Sequence, residues 1–90
     1  MSQKTDWDEV SYVIRSTPRE FVIKSLCEGP KTPGEIRDET EIDIAHISRG
    51  VTQLQERGLT ELLVDENTKK GRLYGLTDEG QEVAEAVESR

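Results

Sequence analysis

Between Thr32 and Gly58 the chain reads TPGEIRDETEIDIAHISRGVTQLQERG, and the ends of two helices can be placed in it residue by residue. Thr32-Pro33-Gly34-Glu35 has the form of a capping box. Threonine stands at the N-cap, proline at the first helical position, and glutamate at the third, from where it reaches back to the cap. The helix it opens runs to Glu39 or Thr40. Thr40-Glu41-Ile42-Asp43 is then a turn, short enough to hold two crossing helices together. Asp43 can cap the next helix. Ile44, Ile47, Val51 and Leu54 follow at spacings of three, four and three, one apolar stripe on an α-helix. Gly58 ends that helix in the left-handed conformation, with Leu59 as its hydrophobic contact.

After Gly58 the period changes. Leu59, Leu62, Leu63 and Val64 form a short apolar run, and Arg72-Leu73-Tyr74-Gly75-Leu76 alternates, with Leu73 and Gly75 opposed to Tyr74 and Leu76. Asp65-Glu66-Asn67-Thr68-Lys69-Lys70-Gly71 between them is polar and ends in glycine, as a loop between two strands does. Thr77-Asp78-Glu79 starts a last helix with a threonine cap and two acids in its first turn. Upstream, Trp7, Val10 and Ile14 mark one helix, with Tyr12 and Val13 widening its apolar face. Thr17-Pro18-Arg19-Glu20 reads as a second capping box, opening a helix whose apolar residues are Phe21, Val22, Leu26 and Cys27, with Ile23 alongside, and Gly29-Pro30 ends it. The pattern predicts helices near 6–15, 18–28, 33–40, 44–57 and 78–88, and strands near 60–65 and 71–76. The order is α-α-α-α-β-β-α: mainly α with a small β-hairpin, a winged helix–turn–helix. Residues 1–90 form a single domain in this reading, with a core over 17–77 and terminal helices at 6–15 and 78–88.

Composition sets the outer limits. A chain of 90 residues buries only about 60–65% of its unfolded surface, and here 32% of residues are hydrophobic. The core is therefore small, and dimerisation would cover more of it. Trp7, Val10 and Ile14 could form a dimer stripe or fold back on their own chain. No apolar run has the length of a membrane helix, and no apolar segment follows the first residues as in a secretory signal. A single cysteine makes no internal disulfide and fits a reducing, cytoplasmic setting. The net charge is −7, yet Lys69, Lys70 and Arg72 cluster in the hairpin while acids gather at Asp6, Asp8, Glu9 and from Asp78 to the end. The chain thus combines acidic flanks with one locally basic face.

Four segments carry a resemblance. They are Thr17-Pro-Arg-Glu-Phe-Val-Ile-Lys-Ser-Leu, Gly29-Pro-Lys-Thr-Pro-Gly-Glu-Ile, His46-Ile-Ser-Arg-Gly-Val-Thr-Gln-Leu-Gln-Glu-Arg-Gly-Leu and Gly71-Arg-Leu-Tyr-Gly-Leu-Thr-Asp-Glu-Gly. Together they resemble archaeal winged-helix transcriptional regulators, which are similar to the MarR-type and ArsR-type repressors. The resemblance runs from Thr17 to Val83. It implies binding to double-stranded DNA, as a homodimer, with the second helix of the motif in the major groove.

On that expectation the site residues can be placed. The apolar stripe fixes the inward face of helix 44–57, so Ala45, Arg49, Thr52 and Glu56 point outward, flanked by His46, Ser48 and Gln53. This motif reads DNA with the N-terminal part of that helix. Arg49 can bond guanine bidentately and Gln53 adenine, with His46, Ser48 and Thr52 as base or phosphate contacts. Lys69, Lys70 and Arg72, on the wing at 66–72, suit phosphates or the minor groove. Lys31 and Thr32 stand where a helix N-terminus could meet a backbone phosphate.

Other chemistries find no motif. His46 and Cys27 make no metal constellation, and the paired cysteines common in ArsR-type metal sensors are missing. Asp78, Glu79, Glu82, Glu85 and Glu88 read as a solvated helix face. With no phosphate loop, nucleophile elbow or acid/base pair, the expectation is a protein that is not an enzyme and carries no cofactor or metal. The leading reading is a sequence-specific transcriptional regulator. The alternative, which net acidity favours, is a winged-helix module that binds protein within a larger assembly.

Overall fold

Asp6 opens the first helix by accepting hydrogen bonds from the N–H groups of Asp8 and Glu9 at 3.0 and 3.4 Å. The structure is a computed structural model and describes residues 6–65, 67–68 and 71–89. Within them the order is α1 (Trp7–Ile14), α2 (Thr17–Leu26), α3 (Pro33–Thr40), α4 (Ile44–Glu56), β1 (Thr60–Leu62), β2 (Tyr74–Leu76) and α5 (Asp78–Ser89). This is the winged helix–turn–helix expected from the sequence.

The helix–turn–helix follows the predicted caps. Thr32 and Glu35 form the reciprocal capping box. Thr40 closes α3 by donating its hydroxyl to the Ile36 carbonyl at 2.8 Å. Glu41 then turns the chain with φ 61°, a left-handed backbone at a residue that is not glycine. Asp43 Oδ1 accepts from the Ala45 N–H at 2.8 Å and starts α4. Gly58, at φ 76°, ends it, and the Leu59 N–H returns to the Leu54 carbonyl at 2.9 Å. The second capping box needs correction. The N-cap of α2 is Ser16, whose Oγ accepts from the Arg19 N–H at 3.3 Å. That shift puts Arg19 rather than an acid at the third helical position, so no reciprocal bond forms. Glu20 pairs forward with Lys24 at 3.1 Å instead.

The core is built by α2, which packs on α1, α3, α4, α5 and β2. Val10, Val13, Val22, Ile23, Leu26, Ile36, Ile47, Val51, Leu54, Leu59, Val83 and Val87 are buried together. Val10 and Val13 of α1 and Val83, Ala84 and Val87 of α5 are thus buried within their own chain. Trp7 stays 64% exposed and Phe21 44%, so the apolar faces of α1 and α2 run past the surface they pack on. Ile44 is also at the surface, 37% exposed, while the rest of its stripe is buried.

The hairpin pairs Thr60 with Leu76, Glu61 with Gly75 and Leu62 with Tyr74. It is shorter than expected, with one further bond from the Leu63 N–H to the Leu73 carbonyl at 2.7 Å. The sheet gains an edge that no strand pattern announced. Lys31 and Tyr74 exchange both backbone hydrogen bonds, at 3.0 and 2.9 Å, ahead of α3. Alternation also fails in β2: Tyr74 and Gly75 are both buried, since glycine leaves room for Leu63 to lie over its backbone. Two hydroxyls fix the hairpin to α4. Buried Thr60 donates to the Val51 carbonyl at 3.2 Å, and Thr77 donates to the Gly58 carbonyl at 2.6 Å. Gly80 lets α5 approach closely. A Cβ there would stand 1.9 Å from the Leu59 carbonyl oxygen.

Candidate nucleic-acid interface

Three elements meet at one cleft. Its walls are the N-terminus of α3, the outer flank of α4 and the base of the wing, and its volume is about 440 Å³. Thr32, Ser48, Thr52 and Arg72, all expected site residues, line it together. Their convergence follows from the connections just described. The Lys31–Tyr74 bridge sets the start of α3 beside β2, and the Thr60 hydroxyl sets the hairpin against α4. Pro33, Gly34, Val51, Gly71 and Tyr74 complete the lining. Pro33 and Gly34 enter as the first turn of α3 behind Thr32, and Tyr74 through the bridge. The Arg72 Nε donates to the Thr68 carbonyl at 2.7 Å, which braces the wing across its base. Lys69 and Lys70 lie outside the described residues.

The leading half of α4 presents its polar side chains outward. Ala45, His46, Ser48 and Arg49 are exposed, and so is Thr52 past the midpoint, as the helical period requires once Ile47, Val51 and Leu54 are buried. Gly50, on the buried side, faces Pro18, Arg19 and Val22 where α4 crosses α2, and a Cβ added there would stand 3.6 Å from each.

The trailing half faces a different environment. Gln53 is half-buried, and its Oε1 accepts from Arg19 Nη1 at 3.1 Å. The same guanidinium donates to the Tyr12 carbonyl through Nε and Nη2, at 2.9 and 2.6 Å. Arg57, the C-cap of α4, pairs with Glu9 at 3.2 Å. The Tyr12 ring lies within 3.9 Å of both the Arg19 and Arg57 guanidinium carbons. Gln53 thus has a use in packing that an i+3/i+4 pattern cannot reveal. With Oε1 occupied, it is poorly set for the donor-plus-acceptor pairing that adenine needs.

Lys31 does not join the cleft-lining group. Its ammonium donates to Glu39 at 2.6 Å, Glu28 at 2.7 Å and Ser25 Oγ at 3.1 Å, and its side chain is only 13% exposed. All three donors are engaged. Burial pulls its pKa down, but the hydrogen bonds to Glu28 and Glu39 outweigh that and leave it raised. The same bond from Lys31, with one from Ser25, holds Glu39 below the usual carboxylate range. A cation so neutralised is a strut between α2, α3 and the sheet edge, not an open anion anchor. Local pattern does not reveal this, because one acid lies in the turn after α2 and the other eight residues on, in α3.

Comparison with known proteins gives the family. The family model of the HVO_A0261 N-terminal domain matches residues 7–90. The chain belongs to that family. Among curated proteins no match is found. Solved structures share the fold of this HVO_A0261 N-terminal domain, and they are MarR-type winged-helix regulators. A ZitR variant from Lactococcus lactis matches with TM-score 0.72 and 23% identity, over 82% of this chain and 51% of its own. A MarR variant from E. coli, solved in complex with operator DNA, matches with TM-score 0.71 and 26% identity, over 89% of this chain and 58% of its own. The PcaV transcriptional regulator from Streptomyces coelicolor, solved with its natural ligand, matches with TM-score 0.71 and 26% identity, over 83% and 54%. The domain spans about half the length of these relatives. Among the described residues no helix is long and apolar enough to cross a membrane.

Proposed function

We propose that the chain is a sequence-specific DNA-binding transcriptional regulator, with α4 in the major groove and the wing on the backbone or minor groove. The observation that carries this is the convergence of Thr32, Ser48, Thr52 and Arg72 on one cleft beside the exposed face of α4. A helix flanked by a basic hairpin offers groove and backbone contacts at once, which is the division DNA recognition uses. The MarR variant solved on operator DNA has the same fold at 26% identity, which supports the reading. Arg49, Ala45, His46 and Ser48 take the base-facing positions. Thr32, Thr52 and Arg72 take the backbone, with Lys69 and Lys70 assigned there on sequence alone. Lys31 is left out, and Gln53 is given a packing role.

The working unit in this reading is a homodimer, its recognition helices about one DNA turn, roughly 34 Å, apart. Support for the pairing is narrower than the apolar stripes implied, since those are buried within the chain. What remains is Trp7, 64% exposed on α1. Light scattering reads this directly: twice 10.2 kDa supports the pairing and a single chain's mass removes it.

The function is tested by enrichment of duplexes from a random-sequence library, followed by titration across a salt series. Enrichment of a common sequence, with affinity falling as salt rises, is the expected result. A chain that retains no duplex at any salt would instead be a protein-interaction module.

A further inference from the structure

Resting on the DNA reading above, we infer that the leading turn of α4 recognises thymine, through contact of Ile44 and Ala45 with the C5 methyl group. The stripe pattern places Ile44 with Ile47, Val51 and Leu54 facing inward. The structure buries those three and leaves Ile44 37% exposed. At 100° per residue Ile44 lies about 60° from Ile47, on the side toward Ser48, and Ala45 falls near the middle of the exposed face. Two hydrocarbon side chains therefore lie side by side on the exposed surface of the first turn, with the exposed His46 about 100° further round. The turn holds no acid, and the preceding carboxylate, Asp43, is folded back onto the Ala45 N–H at 2.8 Å.

A helix of this motif enters the major groove with its N-terminal residues leading. A donor or acceptor there would bond the polar base edges, thymine O4 among them. A hydrocarbon finds one complementary feature on the groove floor, the thymine methyl. Arg49, a turn further on, supplies the polar contact. The expected preference is thus thymine under the first turn, with guanine nearby under Arg49.

The test removes the methyl and nothing else. A duplex enriched by the wild-type chain is resynthesised with deoxyuridine in place of one thymine at a time. At one or two positions affinity should fall roughly fourfold, the worth of one buried methyl-sized group. 5-Bromodeoxyuridine, which fills the same space, should restore it. In Ile44→Ala and Ala45→Gly the thymine and uracil duplexes should bind more nearly alike at those positions. Arg49→Ala should weaken binding and keep the difference. The inference is overturned if uracil is tolerated at every position, or if the difference persists unchanged in both Ile44→Ala and Ala45→Gly. The wild-type measurement needs no variant, so misfolding of one cannot mask the result. Enrichment without methyl dependence overturns this inference alone. Failure to enrich any duplex overturns the DNA reading and this inference with it.

Discussion

At the leading end of α4, His46, Ser48 and Arg49 stand exposed beyond the Asp43 cap. At the trailing end, Gln53 and Arg57 are drawn onto α1 and α2 through Arg19, Tyr12 and Glu9. Both ends are rich in polar residues, and helical period alone treats them alike. The difference is the company each keeps. Arg19 is 34 residues from Gln53 in sequence, and Glu9 is 48 from Arg57. Polar character on α4 thus divides into residues left facing outward and residues that anchor the helix to α1 and α2.

The largest effect should come from the anchoring end. Arg19→Ala removes two hydrogen bonds to the Tyr12 carbonyl, one to Gln53 and a stacked ring. It should lower unfolding free energy by about 2–3 kcal/mol in urea titrations. Base preference in the remaining folded protein should be unchanged. A smaller effect is expected from the cleft. Arg72→Ala should weaken binding to all duplexes alike and reduce the slope of log affinity against log salt by about one per protomer. A sequence-dependent loss there would move Arg72 from the backbone to the bases.

Gly50 sits between the two ends. Its nearest neighbours leave an added methyl at 3.6 Å, an ordinary contact. Gly50→Ala should therefore stabilise the domain by about 0.5–1 kcal/mol through helix propensity, seen as a raised Tm. A destabilised variant would mean that α4 and α2 cross more tightly than described. The smallest effect concerns the Lys31 cluster. Glu39 has a lowered folded pKa, so its contribution is present above its ordinary 4.5 and is lost as pH falls through the folded value. Lys31 has a raised one, so its contribution is full below 10.5 and is lost as pH rises through the folded value. Glu39→Gln should flatten the acid side of a stability-against-pH curve and leave DNA affinity near neutral pH unchanged. A gain of affinity, the freed ammonium then meeting phosphate, would return Lys31 to the interface.

What could be read in the sequence was what depends on neighbours within about four residues. The Thr32 box, the Asp43 cap, the Gly58 stop and the Thr77 cap all have that range, and each stands as read. Ser16 displaced Thr17 as cap because two adjacent hydroxyls offer the same signal and only backbone geometry chooses. The pairing of Lys31 with Tyr74 was invisible because a one-residue edge carries no alternation. Trp7 and Ile44 carry apolar signals at helix starts, where a stripe runs past the surface it packs on. Within the candidate site, Ser48, Thr52 and Arg49 followed from period. The surroundings of Lys31 and Gln53 did not, since their partners come from other elements.

The central claim is that recognition lies in the leading half of α4 and anchoring in the trailing half. The most direct measurement is the ratio of affinities for an enriched duplex and an unrelated one, at matched salt, in wild type, Arg49→Ala and Gln53→Ala. Arg49→Ala should cost about 1–3 kcal/mol on the enriched duplex and less on the unrelated one, which collapses the ratio. Gln53→Ala should leave the ratio within about twofold of wild type, as expected for a residue outside base readout. A ratio that collapses for Gln53→Ala and survives in Arg49→Ala would contradict the account.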